Sequence, residues 1–385
     1  MYFIRNSKFC KIFLQPNIQV MTFNDLLNTI KKNNLKVDFD LMRLAYEFAE
    51  KAHQGQKRIS GEDYIQHSLE TANLLAKFKL DETTIIAGLF HDIPEETQIS
   101  LKEIKKEFGE EIANLVEGIT KLGKIKYRGI ERYVENLRKM FVAIAKDARV
   151  IFIKFADRMH NLKTLFALPK EKQKRIALES LEIYAPIANR LGMNELRGQL
   201  EDLAFPYINP QEYKTIKKIF QEKIKIQNPF VEKFKKQLQK ELALTGFKNL
   251  EIHGRIKHLY SFYLKLNRSE NNKNPDKIYD LIAIRIIVPE KIVDCYSILG
   301  LIHSKWKPLP KRIKDYIAMP KSNGYQSLHT TVFGPDHNII EIQIRTQKMH
   351  NETEYGIAAN WVYAEKGKPK QGAQIDKKRM EWLNH

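Results

Sequence analysis

The chain has 385 residues, of which 43% are hydrophobic and 10% aromatic, a composition typical of a globular protein with two or three domains. With only 2 cysteines, the chain has neither a disulfide framework nor a cysteine-based zinc site, which points to the cytoplasm. No apolar run approaches the roughly 20 residues of a membrane span, which excludes a transmembrane protein. The net charge of +19 indicates a polyanionic partner such as nucleic acid, an anionic membrane or a phosphorylated nucleotide, although lysine usage in an AT-rich genome is an alternative cause.

The first half of the chain shows helical periodicity only. Residues 1–21 lack the clean apolar core of a signal peptide, and because Met21 begins a better helix-forming segment, they are predicted to be an N-terminal extension or a mis-assigned start. Apolar residues at helical spacing predict helices over 38–53, 64–78, 80–91, 100–122, 130–147 and 150–161. No strand alternation occurs before about residue 200, so this half is predicted to be all-α.

The period changes after a lysine-rich helical stretch over 200–245. Pro206, Pro210 and Pro229 interrupt that stretch, where we place a domain junction. The pattern beyond it predicts strands over 250–253, 278–288, 327–333 and 339–345, the last two as a hairpin, and helices over 257–266, 291–305 and 347–363. The second half is therefore predicted to be a mixed α+β domain, and the Gly/Lys/Gln-rich stretch 366–374 to be loose.

Three predicted helices of the first half carry residues of the types that bind metals. His67 lies on one helix, His91 and Asp92 end the next, and Asp157 lies on the third. Two imidazoles and two carboxylates suit a divalent ion such as Mn²⁺ with positions open for water and phosphate. Taken singly, His67 is as readily a solvated helix residue and Asp157 half of an ion pair, but the four together in this order favour a metal site.

Further polar residues accompany these candidate ligands. Glu95 and Glu96 lie one turn beyond Asp92, where a carboxylate can orient or deprotonate a water. Arg58 can hold a base or a phosphate with its planar guanidinium. Asn161 and Thr164 lie on reachable faces of the helix that carries Asp157.

A second group of charged residues lies on the predicted strands of the second half. Asp280 begins one strand and Glu341 lies on another, and two such carboxylates can hold Mg²⁺ and activate a hydroxyl for phosphoryl transfer. Gly324 allows close backbone approach, and Tyr325 offers a ring on which a base can stack. Positive charge for a polyphosphate comes from Arg255, Lys257, Lys265, Arg285, Lys321 and Arg345. A strand-edge aspartate with arginine partners and a plain Asn-Gly turn are the alternative interpretation.

The motifs of the first half resemble a known family. Residues 56–67, 91–97 and 156–161 read QKRISGEDYIQH, HDIPEET and ADRMHN, and they resemble the HD-type hydrolase domain of the long Rel/SpoT enzymes, bifunctional synthetases and hydrolases of the alarmone (p)ppGpp. Residues 183–192 and 200–205 resemble the helices that join that family's two domains. The resemblance implies Mn²⁺-dependent removal of the 3′-pyrophosphate of (p)ppGpp. It implies metal ligation by His67, His91, Asp92 and Asp157, water activation by Glu95 and Glu96, and nucleotide contacts from Arg58, Asn161 and Thr164.

The sequence departs from this hydrolase pattern at three positions. Ile59 stands where a basic residue is usual, Asp63 where proline is usual, and Glu96 where aspartate is usual. Glu96 is one methylene longer, and a shift near 1 Å can lower a rate roughly 10²-fold. Because the ligand set is intact, we expect an active hydrolase whose rate these changes can lower. A synthetase whose hydrolase domain is weakened or inactive is the alternative.

The second half resembles the synthetase domain of the same family, in the same order and at similar spacing, over residues 254–261, 279–285, 312–318, 320–331 and 340–346. The resemblance implies a nucleotidyltransferase-like mixed sheet that moves the β,γ-pyrophosphate of ATP to the 3′-hydroxyl of GDP or GTP. Asp280 would bind Mg²⁺, Glu341 would assist Mg²⁺ or act as the base, and Tyr325 would stack on guanine. ATP would be held by Arg255 and Arg285, and the acceptor site would be lined by Lys321, Asn323 and His329.

Three further positions compare with the synthetase pattern. The sequence RIKD from Arg312 to Asp315 matches the basic variant of a motif that marks bifunctional members. Ile256 stands where proline is usual and Asn360 where histidine is usual, and neither is a proposed catalytic position.

The predicted protein is therefore α+β, with an all-α HD-type hydrolase domain followed by the mixed-sheet synthetase domain. The predicted division is an extension (1–21), the hydrolase (22–172), connecting helices (173–215), the synthetase (216–365) and a loose tail (366–385). The family's long members continue into domains that sense the ribosome, and since this sequence stops at His385 it gives no basis for expecting ribosome contact. A non-catalytic RNA- or ribosome-binding protein, suggested only by the lysine-rich segment 211–240, is the competing hypothesis.

Overall fold

A computed structural model describes residues 20–123, 142, 146–247, 249–335 and 338–356. The described residues form two compact units, with the boundary between Tyr184 and Ala185. Most of the predicted helix over 130–147, the chain beyond residue 356 and the first nineteen residues lie outside them. In the described part of the chain, no helix is both long enough and apolar enough to cross a bilayer.

The first unit is built from α-helices. They are α1 (Phe23–Lys32), α2 (Phe39–Ala52), α3 (Ile65–Lys77), α4 (Glu82–Phe90), α5 (Ile93–Glu96), α6 (Leu101–Phe108), α7 (Glu110–Gly123), α8 (Arg149–Lys163) and α9 (Lys170–Glu179). A 3₁₀ turn over Leu165–Ala167 follows α8, and a π-helical turn over Ser180–Tyr184 follows α9. Over the described residues, the prediction of an all-α first half is confirmed.

Local sequence signals place the ends of these helices. Asp81 caps α4 by accepting a hydrogen bond from the backbone N–H of Thr84. Ser100 forms a capping box with Glu103 at the start of α6. The single helix predicted over 100–122 is wrong, because Gly109 adopts a φ of +90° and separates α6 from α7.

Helix α4 is the central helix of this unit. Every residue from Thr84 to Phe90 is buried, as expected for a helix that is apolar on all faces. Helices α3 and α8 both pack against α4. Because α4 ends at the buried Phe90, the next residue, His91, is also buried.

The second unit combines helices with a mixed five-stranded sheet. Its helices are α10 (Ala185–Arg190), α11 (Asn194–Ile208), α12 (Pro210–Leu244), α13 (Leu259–Leu266), α14 (Ile292–Lys305) and α15 (Gln347–Tyr355). Its strands are β1 (Glu251–Ile256), β2 (Ile282–Val288), β3 (Lys314–Asp315), β4 (Leu328–Phe333) and β5 (Ile339–Thr346), in the order β1-β2-β5-β4-β3. Strands β2 and β5 are parallel and the other pairs antiparallel, so the predicted mixed sheet and the β4–β5 hairpin are confirmed.

Two predictions about this unit need correction. Strand β2 begins at Ile282, so Asp280 lies in the turn before the strand and does not begin it. Ile278 and Leu281 are buried in that turn, and an apolar pattern alone does not distinguish a buried turn from a strand. Two of the three prolines do not interrupt a helix, because Pro206 lies inside α11 and Pro229 inside α12, whereas Pro210 begins α12 just after α11 ends.

Candidate active sites

A buried cluster in the first unit brings together the four predicted metal ligands. His67 Nε2 lies 3.0 Å from His91 Nε2, 3.3 Å from Asp92 Oδ2 and 3.5 Å from Asp157 Oδ1. His67 lies in the first turn of α3, His91 and Asp92 follow α4, and Asp157 lies within α8. The ligand atoms of His67, His91 and Asp157 all lie within 4.8 Å of one another.

The chemistry of this donor set fits a divalent cation. The Nδ1–H of His91 donates to the carbonyl of Gly88 at 2.8 Å, which leaves the Nε2 lone pair facing the cluster. Burial alone would lower the pKa of His67, but its hydrogen bonds to Asp157 and Asp92 outweigh burial and raise the pKa. The carboxylates of Asp92 and Asp157 therefore stabilise positive charge within the cluster, as expected of a site for a cation with imidazole and carboxylate ligands.

The pKa values of both carboxylates are lowered. Burial would raise the pKa of Asp157, but Lys154 and the two imidazoles outweigh it and hold the pKa well below its usual range. Lys154 Nζ lies 2.6 Å from Asp157 Oδ2, whereas Oδ1 faces His67. Burial likewise opposes the effect of His91 and His67 on Asp92, and the imidazoles lower its pKa. Both candidate ligands are thus anionic at neutral pH.

The predicted nucleotide contacts lie at the edge of this cluster. Arg58 Nη2 donates to Asn161 Oδ1 at 2.7 Å, and Asn161 in turn donates to Asp157 Oδ1. Thr164 is buried, and its hydroxyl donates to the carbonyl of His160 at 3.2 Å. Asn161 therefore contacts a candidate ligand directly and Arg58 is linked to it through Asn161, whereas the Thr164 hydroxyl is engaged with the backbone of α8.

The predicted water-activating carboxylates are accessible to solvent. Glu95 and Glu96 are exposed on α5, which begins directly after Asp92. The backbone carbonyl of Glu96 accepts a hydrogen bond from Gln56 Nε2 at 2.8 Å, which ties α5 to the loop before α3. In that loop Ile59, one of the positions at which the sequence departs from the pattern that it resembles, is 71% exposed.

Sequence reasoning missed two neighbours of the ligands. The Tyr64 hydroxyl donates to Asp92 Oδ2 at 2.9 Å. His160 Nδ1 lies 2.8 Å from His67 Nδ1, and burial together with the neighbouring His67 lowers the pKa of His160 to about 2. His160 follows Asp157 by three residues on α8, and this i, i+3 spacing was a usable signal because it places both side chains on one helix face.

The second unit contains a cavity of about 450 Å³ that gathers most of the predicted synthetase residues. The predicted residues that line it are Arg255, Lys257, Lys265, Asp280, Arg285, Lys321, Asn323, Tyr325, His329 and Glu341. Arg345 is fully buried and contacts the cavity wall through Glu354, with its Nη2 3.2 Å from Glu354 Oε1. The same carboxylate oxygen lies 2.9 Å from Arg285 Nη1.

Two lysines hold Asp280 within this cavity. Lys257 Nζ lies 2.9 Å from Oδ2 and Lys265 Nζ 2.9 Å from Oδ1. Burial would raise the pKa of Asp280, but the lysines outweigh it and lower the pKa. Asp280 and Glu341 line the same cavity, and their carboxylates are of the type that a divalent cation with oxygen ligands requires.

Glu341 has partners of a different kind. Its Oε1 lies 3.2 Å from His329 Nδ1 and accepts a hydrogen bond from Gln343 Nε2 at 2.9 Å. Burial would raise the pKa of Glu341, but His329 outweighs it and lowers the pKa. The carboxylate is therefore ionised and able to accept a proton.

A tight turn presents the candidate base-stacking ring. Gly324 has a φ of +75° and donates to the carbonyl of Lys321 at 2.8 Å, so the turn favours glycine at this position. The Tyr325 hydroxyl lies 2.7 Å from His329 Nε2, and Lys321 Nζ lies 4.9 Å from the centre of the Tyr325 ring. Asn323 Nδ2 donates to the carbonyl of Asn189 in α10 at 3.1 Å. Sequence reasoning missed this contact because the partners are 134 residues apart.

Comparison with known proteins finds a matching family model in each half of the chain. An HD domain model matches residues 45–194, and a model of the region found in RelA/SpoT proteins matches residues 254–368. A GTP pyrophosphokinase of Myxococcus xanthus is 44% identical over 359 residues, which cover 92% of this chain and 46% of that protein. The bifunctional (p)ppGpp synthase/hydrolase SpoT of Escherichia coli is 43% identical over 343 residues, which cover 89% of this chain and 48% of that protein.

A solved structure is also similar. The crystal structure of the small alarmone synthetase 1 from Bacillus subtilis is 23% identical, covers 42% of this chain and 85% of that chain, and gives a TM-score of 0.33. The chain spans about half the length of the curated relatives that it matches. With an HD domain followed by a RelA/SpoT region, and with these relatives, the chain belongs to the RelA/SpoT family.

Proposed function

We propose that the protein both removes and adds the 3′-pyrophosphate of guanine nucleotides. The first unit hydrolyses (p)ppGpp to GDP or GTP and pyrophosphate with Mn²⁺. The second unit transfers the β,γ-pyrophosphate of ATP to the 3′-hydroxyl of GDP or GTP with Mg²⁺. The observation that carries the proposal is that each unit holds its own set of carboxylates, one among imidazoles and the other among lysines and arginines.

In the hydrolase, His67, His91, Asp92 and Asp157 hold the cation. When bound, a divalent cation polarises phosphate oxygens and activates water. The exposed Glu95 and Glu96 accept the proton of the attacking water. Arg58, Asn161 and Thr164 contact the nucleotide. The assembled ligand set supports hydrolysis over the alternative of a synthetase with an inactive hydrolase domain.

In the synthetase, the residues of the cavity neutralise and orient two phosphorylated substrates. Arg255, Lys257, Lys265, Arg285 and Lys321 neutralise the polyphosphate of ATP and the acceptor, and Arg345 supports Arg285 through their shared Glu354. Asp280 holds Mg²⁺, and the ionised Glu341 accepts the proton of the 3′-hydroxyl. The ring of Tyr325 stacks on guanine beside Asn323 and His329.

The predicted hydrolase (22–172), connecting helices (173–215) and synthetase (216–365) remain part of this proposal, as does a cytoplasmic location. The competing hypothesis of a non-catalytic RNA-binding protein does not require the half-buried, ionised carboxylates of Asp280 and Glu341. Its only support is the lysine-rich segment of α12.

The test is the selective loss of one activity. Pure protein is incubated with ATP and GDP or GTP in Mg²⁺, or with ppGpp in Mn²⁺, and products are followed by chromatography. We expect Asp280→Ala to abolish synthesis and to preserve hydrolysis, and His67→Ala to do the reverse. Equal loss of both activities in either variant would contradict two separate sites, and the absence of both reactions in the unaltered protein would refute the proposal.

A further inference from the structure

His160 is the one imidazole of the described cluster to which the proposed reaction gives no role. It lies on α8, is 6% exposed, and its Nδ1 is 2.8 Å from the Nδ1 of His67. Two ring nitrogens at this distance share one proton, with one nitrogen donating and the other accepting. The direction of that hydrogen bond therefore decides which nitrogen of His67 carries its proton.

The other nitrogen of His67 fixes the direction. Nε2 faces His91 Nε2 and the carboxylates of Asp92 and Asp157, which is where the proposed cation binds. An imidazole binds a cation through a lone pair, so Nε2 must carry no proton and Nδ1 must carry it. The Nδ1–H of His67 then donates to Nδ1 of His160, and the proton of His160 lies on its own Nε2.

Glu62 lies on the far side of His160. Its Oε1 is 3.9 Å from His160 Nε2 and 3.7 Å from Arg58 Nε, and its side chain is 7% exposed. Among the residues that the structure describes, neither carboxylate oxygen of Glu62 has a hydrogen-bond partner. A buried acceptor without a partner is unfavourable, and a shift of about 1 Å would let the Nε2–H of His160 donate to Glu62.

We propose that Glu62 and His160 form a hydrogen-bond chain, Glu62–His160–His67, that fixes the tautomer and orientation of His67 and so strengthens cation binding. The chain rests on the proposed hydrolase function. His160 and Glu62 are positioning residues, since they act through His67. Partners of this kind typically change metal affinity roughly 10- to 100-fold.

The first test measures Mn²⁺ affinity by calorimetry on the full chain. The signal is the binding that His67→Ala removes. We expect His160→Leu to weaken this binding roughly 10- to 100-fold. His160→Asn should stay within about threefold of the unaltered protein, because its amide oxygen occupies the place of Nδ1 and accepts the same proton. Metal-free thermal unfolding and the synthetase activity of the second unit check that each variant is folded.

The second test places Glu62 in the same chain. Glu62→Ala should weaken Mn²⁺ binding by about threefold when His160 is present, no more than His160→Asn does, because both variants lose only the outer hydrogen bond of the chain. In the His160→Asn background it should have no further effect, because asparagine lacks the Nε2–H that reaches Glu62. Glu107→Ala, which removes an exposed carboxylate of α6, is the matched control and should leave binding unchanged.

The outcomes separate two failures. If His160→Leu binds Mn²⁺ as the unaltered protein does, or if Glu62→Ala is equally damaging in both backgrounds, the hydrogen-bond chain is wrong and the metal site stands. If His67→Ala leaves Mn²⁺ binding unchanged, the proposed metal site itself is wrong.

Discussion

At the scale of single residues, the ring and the hydroxyl of Tyr325 make different contacts. The ring faces the cavity beside Lys321, and the hydroxyl contacts His329. We expect Tyr325→Ala to raise the KM for GDP roughly 10- to 100-fold, because stacking a base on an aromatic ring contributes about 1–3 kcal/mol. Steady-state synthesis at varied GDP concentration measures this effect.

Tyr325→Phe is the matched control. It keeps the ring and removes only the hydroxyl that contacts His329. We expect the KM for GDP to stay within about fivefold of the unaltered value, since a typical hydrogen bond contributes about 1 kcal/mol or less of net free energy. If Phe and Ala raise the KM equally, the ring does not stack on the base.

At the scale of elements, helix α11 packs on the turn between β1 and α13 through a glycine. A Cβ added to Gly198 would lie 2.2 Å from His258 Cδ2 and 2.4 Å from its Cγ. The His258 ring is held by Asp202, with Nδ1 2.9 Å from Oδ2, so it has little room to move. We expect Gly198→Ala to destabilise the second unit by about 1–3 kcal/mol, measured by urea unfolding.

Gly300→Ala is the control for that substitution. Gly300 lies within α14, and nothing lies within 4 Å of an added Cβ. Alanine is favoured over glycine inside a helix by about 1 kcal/mol, so this variant should be as stable as the unaltered protein or more stable. Equal destabilisation by both variants would show that close packing on His258 is not the cause.

The same contact between α11 and the turn before α13 contains a titratable group, His258. Burial would lower the pKa of His258, but Asp202 and Glu195 of α11 outweigh it and raise the pKa to about 9. Glu201 of α11 and Arg255 of β1 also lie in its electrostatic surroundings. A raised pKa stabilises the folded state below the ordinary value near 6.5, and the stabilisation is lost as the pH rises through about 9.

We therefore expect the free energy of unfolding of the second unit to fall between pH 6.5 and 9 by up to about 3 kcal/mol through His258. His258→Gln should remove this part of the pH dependence, because a neutral amide does not titrate. Urea unfolding at pH 6.5, 8 and 9 measures both slopes. Identical slopes in the two proteins would show that His258 is not the titrating group.

The elements also differ in whether they could be predicted from the sequence. The four candidate metal ligands that the structure brings together and the strand carrying Glu341 were predictable, because local motifs and alternation mark them. The contact of His160 with Glu62 was not, because it joins α8 to a loop about a hundred residues away. The pairing of His258 with Asp202 spans 56 residues, and no local pattern encodes it. The turn that holds Asp280 was mistaken for a strand because it is equally buried.

At the scale of the whole molecule, two places contribute positively charged side chains to the net charge of +19, namely the cavity of the second unit and helix α12. The cavity of the second unit is lined by eight Lys and Arg side chains and four Asp and Glu side chains, an excess that suits phosphorylated nucleotides. Helix α12 carries exposed lysines, including Lys214, Lys218, Lys225 and Lys236. If the overall positive field recognises the nucleotide, removing charge from α12 should impair synthesis. If the cavity recognises it, removing charge from the cavity should impair synthesis more.

We expect the loss of four charges from α12 to matter less than the loss of one from the cavity. Lys→Gln changes at 214, 218, 225 and 236 should leave kcat/KM for synthesis within about threefold at 0.15 M salt, because exposed charges are screened beyond about 8 Å. Arg255→Gln should lower it at least roughly tenfold, because a hydrogen bond between charged groups such as guanidinium and phosphate contributes about 1.5–3 kcal/mol. If the α12 variant is the more impaired of the two, the surface field and not the cavity recognises the nucleotide, which would favour a nucleic-acid-binding role for this helix.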